Sequence, residues 1–272
     1  MTIQEKLKQY QQEKKAILAT NFYNLETLQG ILIAASKMQV PAILQLTKSS
    51  IDYMGLKEAV VMARQGLADY QVEGWLHLDH GGSVDLVQAC LDEGFESVMI
   101  DASEKSFDEN IRITSEVVKR AKAYNANVEA ELGFIAKLGQ EQSGGYTTVD
   151  EASRFVAETG IDALAIAIGS AHGFYKSVPK LNIERLKEIH AAIDTILVLH
   201  GSSGIPHSQV KEAIRNGITK VNLATEIKDT FMRALKQILQ TTDEIDLRKV
   251  FPKATNAVVD LLSDKYAMVE NR

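Results

Sequence analysis

Cysteine is nearly missing from this 272-residue sequence: Cys90 stands alone, so no intrachain disulfide can form. It lies in an apolar helical pattern with Val87 and Leu91 and reads as a small buried side chain rather than a nucleophile. A basic excess is missing as well. With 30 lysines and arginines against 36 acids the formal charge is -6 and the pI near 5.6, which argues against a nucleic-acid or anionic-membrane surface. Any anionic substrate must then be held by local groups. No apolar run is long enough to span a bilayer, and Met1 to Lys15 is polar and charged, without the apolar centre of a signal peptide. A cytoplasmic protein with no membrane partner is expected. Fixed-period repeats, low-complexity stretches and linker-like composition breaks are also lacking.

What the chain does have is 45% hydrophobic residues in a strict alternation of segments. Short β-branched and apolar runs alternate with longer runs at helical spacing, the pattern of a parallel sheet with helical crossovers. The strands are read at Ala16–Thr20, Ala42–Leu46, Gly74–His80, Ser97–Ile100, Asn127–Leu132, Ala163–Ile168, Ile196–Leu199 and Thr219–Leu223. Helices are read over Leu56–Tyr70, Ser83–Glu93, Asp108–Tyr124 and Val149–Thr159, with others from Leu28 and up to Leu239. Eight strand-helix units predict an α/β fold, a (β/α)8 TIM barrel in a single domain over residues 1–272. Thr241 to Arg272 is expected to add a C-terminal helical segment on the outside.

Gly74-Trp75-Leu76-His77-Leu78-Asp79-His80-Gly81-Gly82 is the centre of the pattern. An apolar strand ends there in an acid and an imidazole, at the carboxyl end of a parallel strand, where catalytic groups collect. Read locally, Asp79 could equally cap the following helix and His80 be a satisfied strand-end residue. Of six histidines, however, His80, His172 and His200 each fall at a strand end with a glycine following. Three imidazoles at one mouth with an open fourth position suit a catalytic zinc. His77, on the strand itself, and His190 and His207, on or beside helices, read as structural. Glu129 and Glu131 share one face of their strand, so at least one needs a partner charge or metal; Glu131 is a candidate fourth ligand. Loops Gly201-Ser202-Ser203-Gly204 and Asn222-Leu223-Ala224-Thr225 have the small residues and donors of a phosphate site, or of ordinary turns. Lys137 to Tyr146 reads as a mobile lid or a plain surface loop.

From about Ala16 to Arg248 the chain resembles the class II, metal-dependent ketose-bisphosphate aldolases of fructose- and tagatose-bisphosphate type. Seven stretches carry the resemblance in order: Asn21–Asn24, His77–His80, Ile100–Ser103 with Glu109-Asn110, Glu129–Gly133, Ala171–Tyr175, His200–Gly204 and Asn222–Glu226. The resemblance implies Zn2+ on His80, His172 and His200, with Glu131 as alternate ligand and Asp101 in the metal set, and a possible monovalent Na+ or K+. It implies that Asp79 moves the proton of the substrate's C4 hydroxyl and that Glu141 exchanges the proton at the enediolate carbon. Gly173, Gly201, Ser202, Ser203, Asn222, Leu223, Ala224 and Thr225 would hold the phosphate of the dihydroxyacetone phosphate half, helped by Lys176. Asn24 and Thr47 would add substrate contacts, and Arg248 would reach the distal phosphate in a neighbouring subunit of a homodimer or homotetramer. The implied reaction, in carbohydrate metabolism of the glycolytic kind, is reversible cleavage of a ketose 1,6-bisphosphate to dihydroxyacetone phosphate and an aldehyde such as glyceraldehyde 3-phosphate.

The sequence departs from the family pattern at Lys137–Gln142, at Thr47-Lys48-Ser49, at Ser202 in place of a second glycine and at Leu247 before Arg248. These positions touch loop motion and the distal half of the substrate. An aldolase for a different ketose 1-phosphate, a zinc-hydroxide hydrolase and a non-catalytic aldolase-fold partner subunit are the alternatives. A Schiff-base aldolase would need a lysine at an inward strand end, and the strand pattern identifies none.

Overall fold

The computed structural model describes residues 1–133, 135, 145–175 and 177–271. The chain opens with α1 (Ile3–Gln12), β1 (Ile17–Asn21), α2 (Leu25–Met38), β2 (Ala42–Leu46), α3 (Lys48–Met54) and α4 (Leu56–Asp69). β3 (Gly74–Gly81), α5 (Val84–Asp92), β4 (Ser97–Ile100), α6 (Phe107–Ala121) and β5 (Asn127–Leu132) follow. Then come α7 (Val149–Thr159), β6 (Ala163–Ile166), α8 (Ile183–Ala192), β7 (Ile196–Leu199), α9 (His207–Arg215) and β8 (Ile218–Leu223). The last two helices are α10 (Thr225–Leu239) and α11 (Leu247–Val269). Each strand pairs in parallel with the next, and β8 returns to β1, so the sheet closes into a (β/α)8 barrel.

Burial on both faces is why these strands read as near-continuous apolar runs. The outward side chains, among them Leu18, Leu44, Leu76, Val98, Val128, Leu164, Leu197 and Val221, pack beneath the helices. At the amino ends of the strands the inward residues Ile17, Ile43, Trp75, Ala163 and Ile196 meet Ile3, Leu7 and Tyr10 of α1. The first helix therefore plugs the bottom of the barrel. It starts at a capping box in which Thr2 and Glu5 bond each other's backbone N–H. The sequence reading left this segment without a helix because three apolar residues among charges give little periodicity. Strand six is two residues shorter than expected: after Ile166 the Ala167 N–H is shared between Leu132 O and Thr147 Oγ1. α11 is the expected outer helix and lies against α2 and α10. Among the described residues no helix is long and apolar enough to cross a membrane.

Candidate metal centre and its surroundings

Strict alternation along β3 sends Trp75, His77 and Asp79 into the barrel and would send His80 out toward the helices. A break in register against β4 between Leu78 and Gly81 prevents this. His80 adopts a left-handed backbone with φ 51, and Gly81 passes so close to β4 that a Cβ there would lie 2.5 Å from Met99 O. A non-glycine residue in that conformation costs about 1–3 kcal/mol and is found mainly where a site demands it. The consequence is that neighbours Asp79 and His80 both reach the mouth. α5 is capped by Ser83, which accepts the Leu86 N–H, so Asp79 is not the helix cap.

His80, His172 and His200 converge. Their ring centroids lie 4.9, 4.9 and 5.8 Å apart, and one ligand atom from each falls within 4.8 Å of the others. His80 Nδ1 is held by Asp101 Oδ2 at 2.7 Å, and His200 Nε2 by Glu129 Oε1 at 2.8 Å. This leaves His80 Nε2, which is 3.2 Å from His172 Nε2, and His200 Nδ1 to face inward. The Nδ1 atoms of His172 and His200 and Glu131 Oε2 are buried without a hydrogen-bond partner, although Glu131 Oε2 is only 3.3 Å from His200 Nδ1. Three converging imidazoles, two of them fixed by carboxylates on their far sides and two with a buried nitrogen left unpartnered, are the donor set of a divalent transition-metal site. The residues present therefore fit a metal ion. Burial, and then the charges of His80 and His200, push His172 down to about 3, so it offers a neutral ring. Burial also disfavours charge on His200, but the Glu129 bond and the negative charges of Glu129 and Glu131 beside it outweigh this and raise it to about 10.

Asp101 stands behind the ring rather than in it. Its Oδ2 is taken by His80 and its Oδ1 by the Ser103 N–H and hydroxyl. Asp79 accepts Asn21 Nδ2 at 2.8 Å and Asn222 Nδ2 at 3.3 Å, and its Oδ1 is 3.9 Å from His80 Nε2. Burial works against its charge, yet His80 and His200 hold the Asp79 carboxyl below its usual range. An ionised acid at the rim of a metal site is placed to take a proton.

A polar network that the sequence reading did not assemble continues down the barrel. Gln45 donates to Asn21, and His77 Nδ1 lies 2.7 Å from Ser97 Oγ, which also receives Asn127. Lys220, fully buried in β8, pairs with Glu129 at 2.9 Å and donates to Asn222 Oδ1 at 2.7 Å. The inward lysine absent from the strand pattern is thus present, but in mid-strand and inside an ion pair. Its signal is a charge at an inward position two residues before Asn222.

The loops after β6, β7 and β8 are tied together. Tyr175 OH accepts the Ala171 N–H and donates to Gly201 O, both at 2.7 Å. Gly201 has φ 66, and a Cβ there would lie 2.3 Å from Ala171 O, so only glycine fits. Ser202 Oγ donates to Asn222 O, Ser203 Oγ accepts the Glu226 N–H, and the Gly204 N–H goes to Glu226. Gly173 has φ 90 in the first of these loops, and Ala224 and Thr225 start α10. Leu223 points into the outer core, leaving only its backbone for a ligand. Asn24 and Thr47 make local bonds as caps of α2 and α3. Arg248 lies on the exposed first turn of α11, paired with Asp246. Glu141 and Lys176 lie outside the described residues.

Comparison with known proteins shows the family and the fold. The family model described as "Fructose-bisphosphate aldolase class-II" matches residues 1–272. A curated fructose-bisphosphate aldolase of Geobacillus stearothermophilus is 38% identical over 265 residues, covering 95% of this chain and 92% of its own. The solved structure of the YdjI aldolase from Escherichia coli K12 superimposes with a TM-score of 0.89 at 32% identity, over 98% of this chain and 96% of that one. The fructose-bisphosphate aldolase of Campylobacter jejuni, at 21% identity and a TM-score of 0.83 over 97% and 93%, shares the fold.

Proposed function

The chain belongs to the class II fructose-bisphosphate aldolases, a carbon-carbon lyase family, and from that premise we propose that it is a zinc-dependent aldolase. It would reversibly cleave a ketose 1,6-bisphosphate of fructose or tagatose type to dihydroxyacetone phosphate and an aldehyde such as glyceraldehyde 3-phosphate. The observation that carries the reading is the convergence of His80, His172 and His200, with unpartnered nitrogens, beside the ionised Asp79.

His80 Nε2, His200 Nδ1 and a nitrogen of His172 would hold Zn2+, with the free oxygen of Glu131 as alternate ligand and Asp101 orienting His80 rather than binding the ion. When bound, the ion supplies the positive charge that stabilises negative charge developing at the substrate's carbonyl. Asp79 takes the C4 hydroxyl proton as the C3–C4 bond breaks and returns it to the aldehyde oxygen in condensation. Asn21 and Asn222 hold its carboxylate in place through both directions. Gly173, Gly201, Ser202, Ser203 and the Asn222–Thr225 segment would bind the phosphate of the dihydroxyacetone half, with a monovalent cation such as Na+ or K+ near it. Small residues and a helix N-terminus support that assignment. Glu141 is proposed to exchange the proton at C3 and Lys176 to assist the phosphate. Asn24 and Thr47 are proposed as further substrate contacts. Arg248 is proposed to reach the distal phosphate of a neighbouring copy in a homodimer or homotetramer, which its exposure permits. A cytoplasmic place in sugar-phosphate metabolism is proposed on the strength of the family.

The test is condensation of dihydroxyacetone phosphate with a panel of aldehydes, with the product configuration at C4 determined. A zinc-requiring ketose bisphosphate product is expected. Hydrolysis of phosphate or ester substrates without any carbon-carbon bond formation would replace this reading with a hydrolase.

A further inference from the structure

We propose that Lys220 is a positioning residue that sets two groups of the centre at once: His200 through Glu129, and Asp79 through Asn222. The inference rests on the metal-dependent reading above. A barrel interior is an expensive place for a charge, and an unpaired ammonium there would be excluded. Lys220 is 1% exposed, and Glu129 is fully buried. Its Nζ lies 2.9 Å from Glu129 Oε2, 2.7 Å from Asn222 Oδ1 and 3.5 Å from His77 Nε2. The other oxygen of Glu129 receives His200 Nε2 at 2.8 Å, and the other end of the Asn222 amide meets Asp79 at 3.3 Å. Both ends of the Asn222 amide are engaged, and Glu129 Oε2 meets the ammonium as an ion pair. Turning the amide around would put its NH2 against the ammonium and its oxygen against the Asp79 carboxylate, two repulsive contacts.

The same argument fixes the imidazole. Glu129 stands between two basic groups, with one oxygen 2.9 Å from the Lys220 ammonium and the other 2.8 Å from His200 Nε2. A carboxylate accepts only, so His200 keeps a hydrogen on Nε2, and Nδ1 is the nitrogen whose proton a metal would replace. Nδ1 is the buried atom without a hydrogen-bond partner. A lysine therefore selects the metal-facing nitrogen of a residue that it never touches. His77 completes the cradle from below: its Nε2 faces the ammonium, its Nδ1 faces Ser97, and burial pushes it down to about 3, so it adds no second positive charge.

The experiment titrates metal-free protein with Zn2+ against a chelating dye and records turnover at saturating Zn2+. Lys220→Met is expected to weaken Zn2+ binding about 10–100-fold, the range seen when a ligand's outer partner is lost. It is also expected to lower kcat more than it changes KM, because Asn222 is released from Asp79. Glu129→Gln should weaken Zn2+ binding comparably. The double variant Lys220→Met with Glu129→Gln should lose much less than the product of the two single losses, because both act on one grip. Unchanged Zn2+ affinity in Lys220→Met with only a lower melting temperature would overturn the inference, as would full additivity. Should Lys220→Met not fold, the charge-neutral double variant carries the test: a loss against wild type supports the inference and wild-type affinity overturns it. If the wild-type protein binds no Zn2+, it is the metal-dependent reading that fails, and the two failures are distinguished.

Discussion

Along β3 the inward side chains run Trp75, His77, Asp79, from indole to imidazole to carboxylate at three alternate positions of one strand. At the lower end Trp75 joins Ile17, Ile43, Ile196 and the residues of α1 in an apolar plug. At the upper end Asp79 sits among Asn21, Asn222, His80 and His200. Both ends belong to one parallel strand, paired with β2 in unbroken register from Gly74 to Leu78. Stability and chemistry are therefore divided by height in the barrel, not by segment of sequence. The apolar half can be built from interchangeable volumes, whereas each polar group above it needs a named partner, since a buried group without one costs about 1–3 kcal/mol.

This contrast can be broken from the top first. Asp79→Ala is expected to lower kcat about 10²–10⁴-fold, the usual contribution of a general base, while the protein keeps its metal because the three histidines remain. A variant within a few fold of wild type, with metal content measured in parallel, would give the acid another role. From the bottom, Leu7→Ala removes a buried side chain of the plug and should lower unfolding stability by about 2–5 kcal/mol. Its kcat at low temperature should match wild type. A drop in kcat without loss of stability would mean that the two halves are coupled.

Acidification sharpens the comparison because only the upper half titrates in this way. His200 is raised to about 10 without a metal, and His80 is also raised, burial working against its charge but Asp79 and the Asp101 bond outweighing it. Metal binding must displace those protons, so affinity should rise with pH across pH 6–8, by up to roughly tenfold per unit for each proton displaced. Zn2+ competition titrations at three pH values would show it, and a flat profile would contradict it. The smallest effect is expected outside both halves. Arg248→Ala should raise KM roughly three- to tenfold for a 1,6-bisphosphate, the low end for a charged hydrogen bond, and leave a 1-phosphate ketose unaffected. Equal effects on both substrates would remove the distal phosphate as its partner.

Much of the mouth was legible because its signal is local. His80 and His200 end apolar runs and His172 follows one by four residues, each precedes a glycine, and the strand ends of a parallel barrel share one rim. Asp101 was legible as a neighbour of the metal but not as the support of His80, because the choice depends on which carboxylate oxygens are already taken. Asp79 and His80 reaching the same place contradicts strand alternation, and only the broken register and the backbone of His80 reconcile the two. Lys220 and Glu129 are 91 positions apart and meet across the barrel, so neither sequence pattern nor local spacing joins them. α1 could have been read from the Thr2–Glu5 capping box, but its three apolar residues have meaning only against a barrel bottom already closed.

The central claim is that three histidines distant in sequence share one divalent ion. Elemental analysis of the purified protein, combined with X-ray absorption at the metal edge, tests it most directly. The account predicts about one ion per chain with three imidazole nitrogens in its shell, turnover lost on chelation and restored by Zn2+. Full turnover in metal-free protein, or a bound ion with no imidazole ligand, would contradict it.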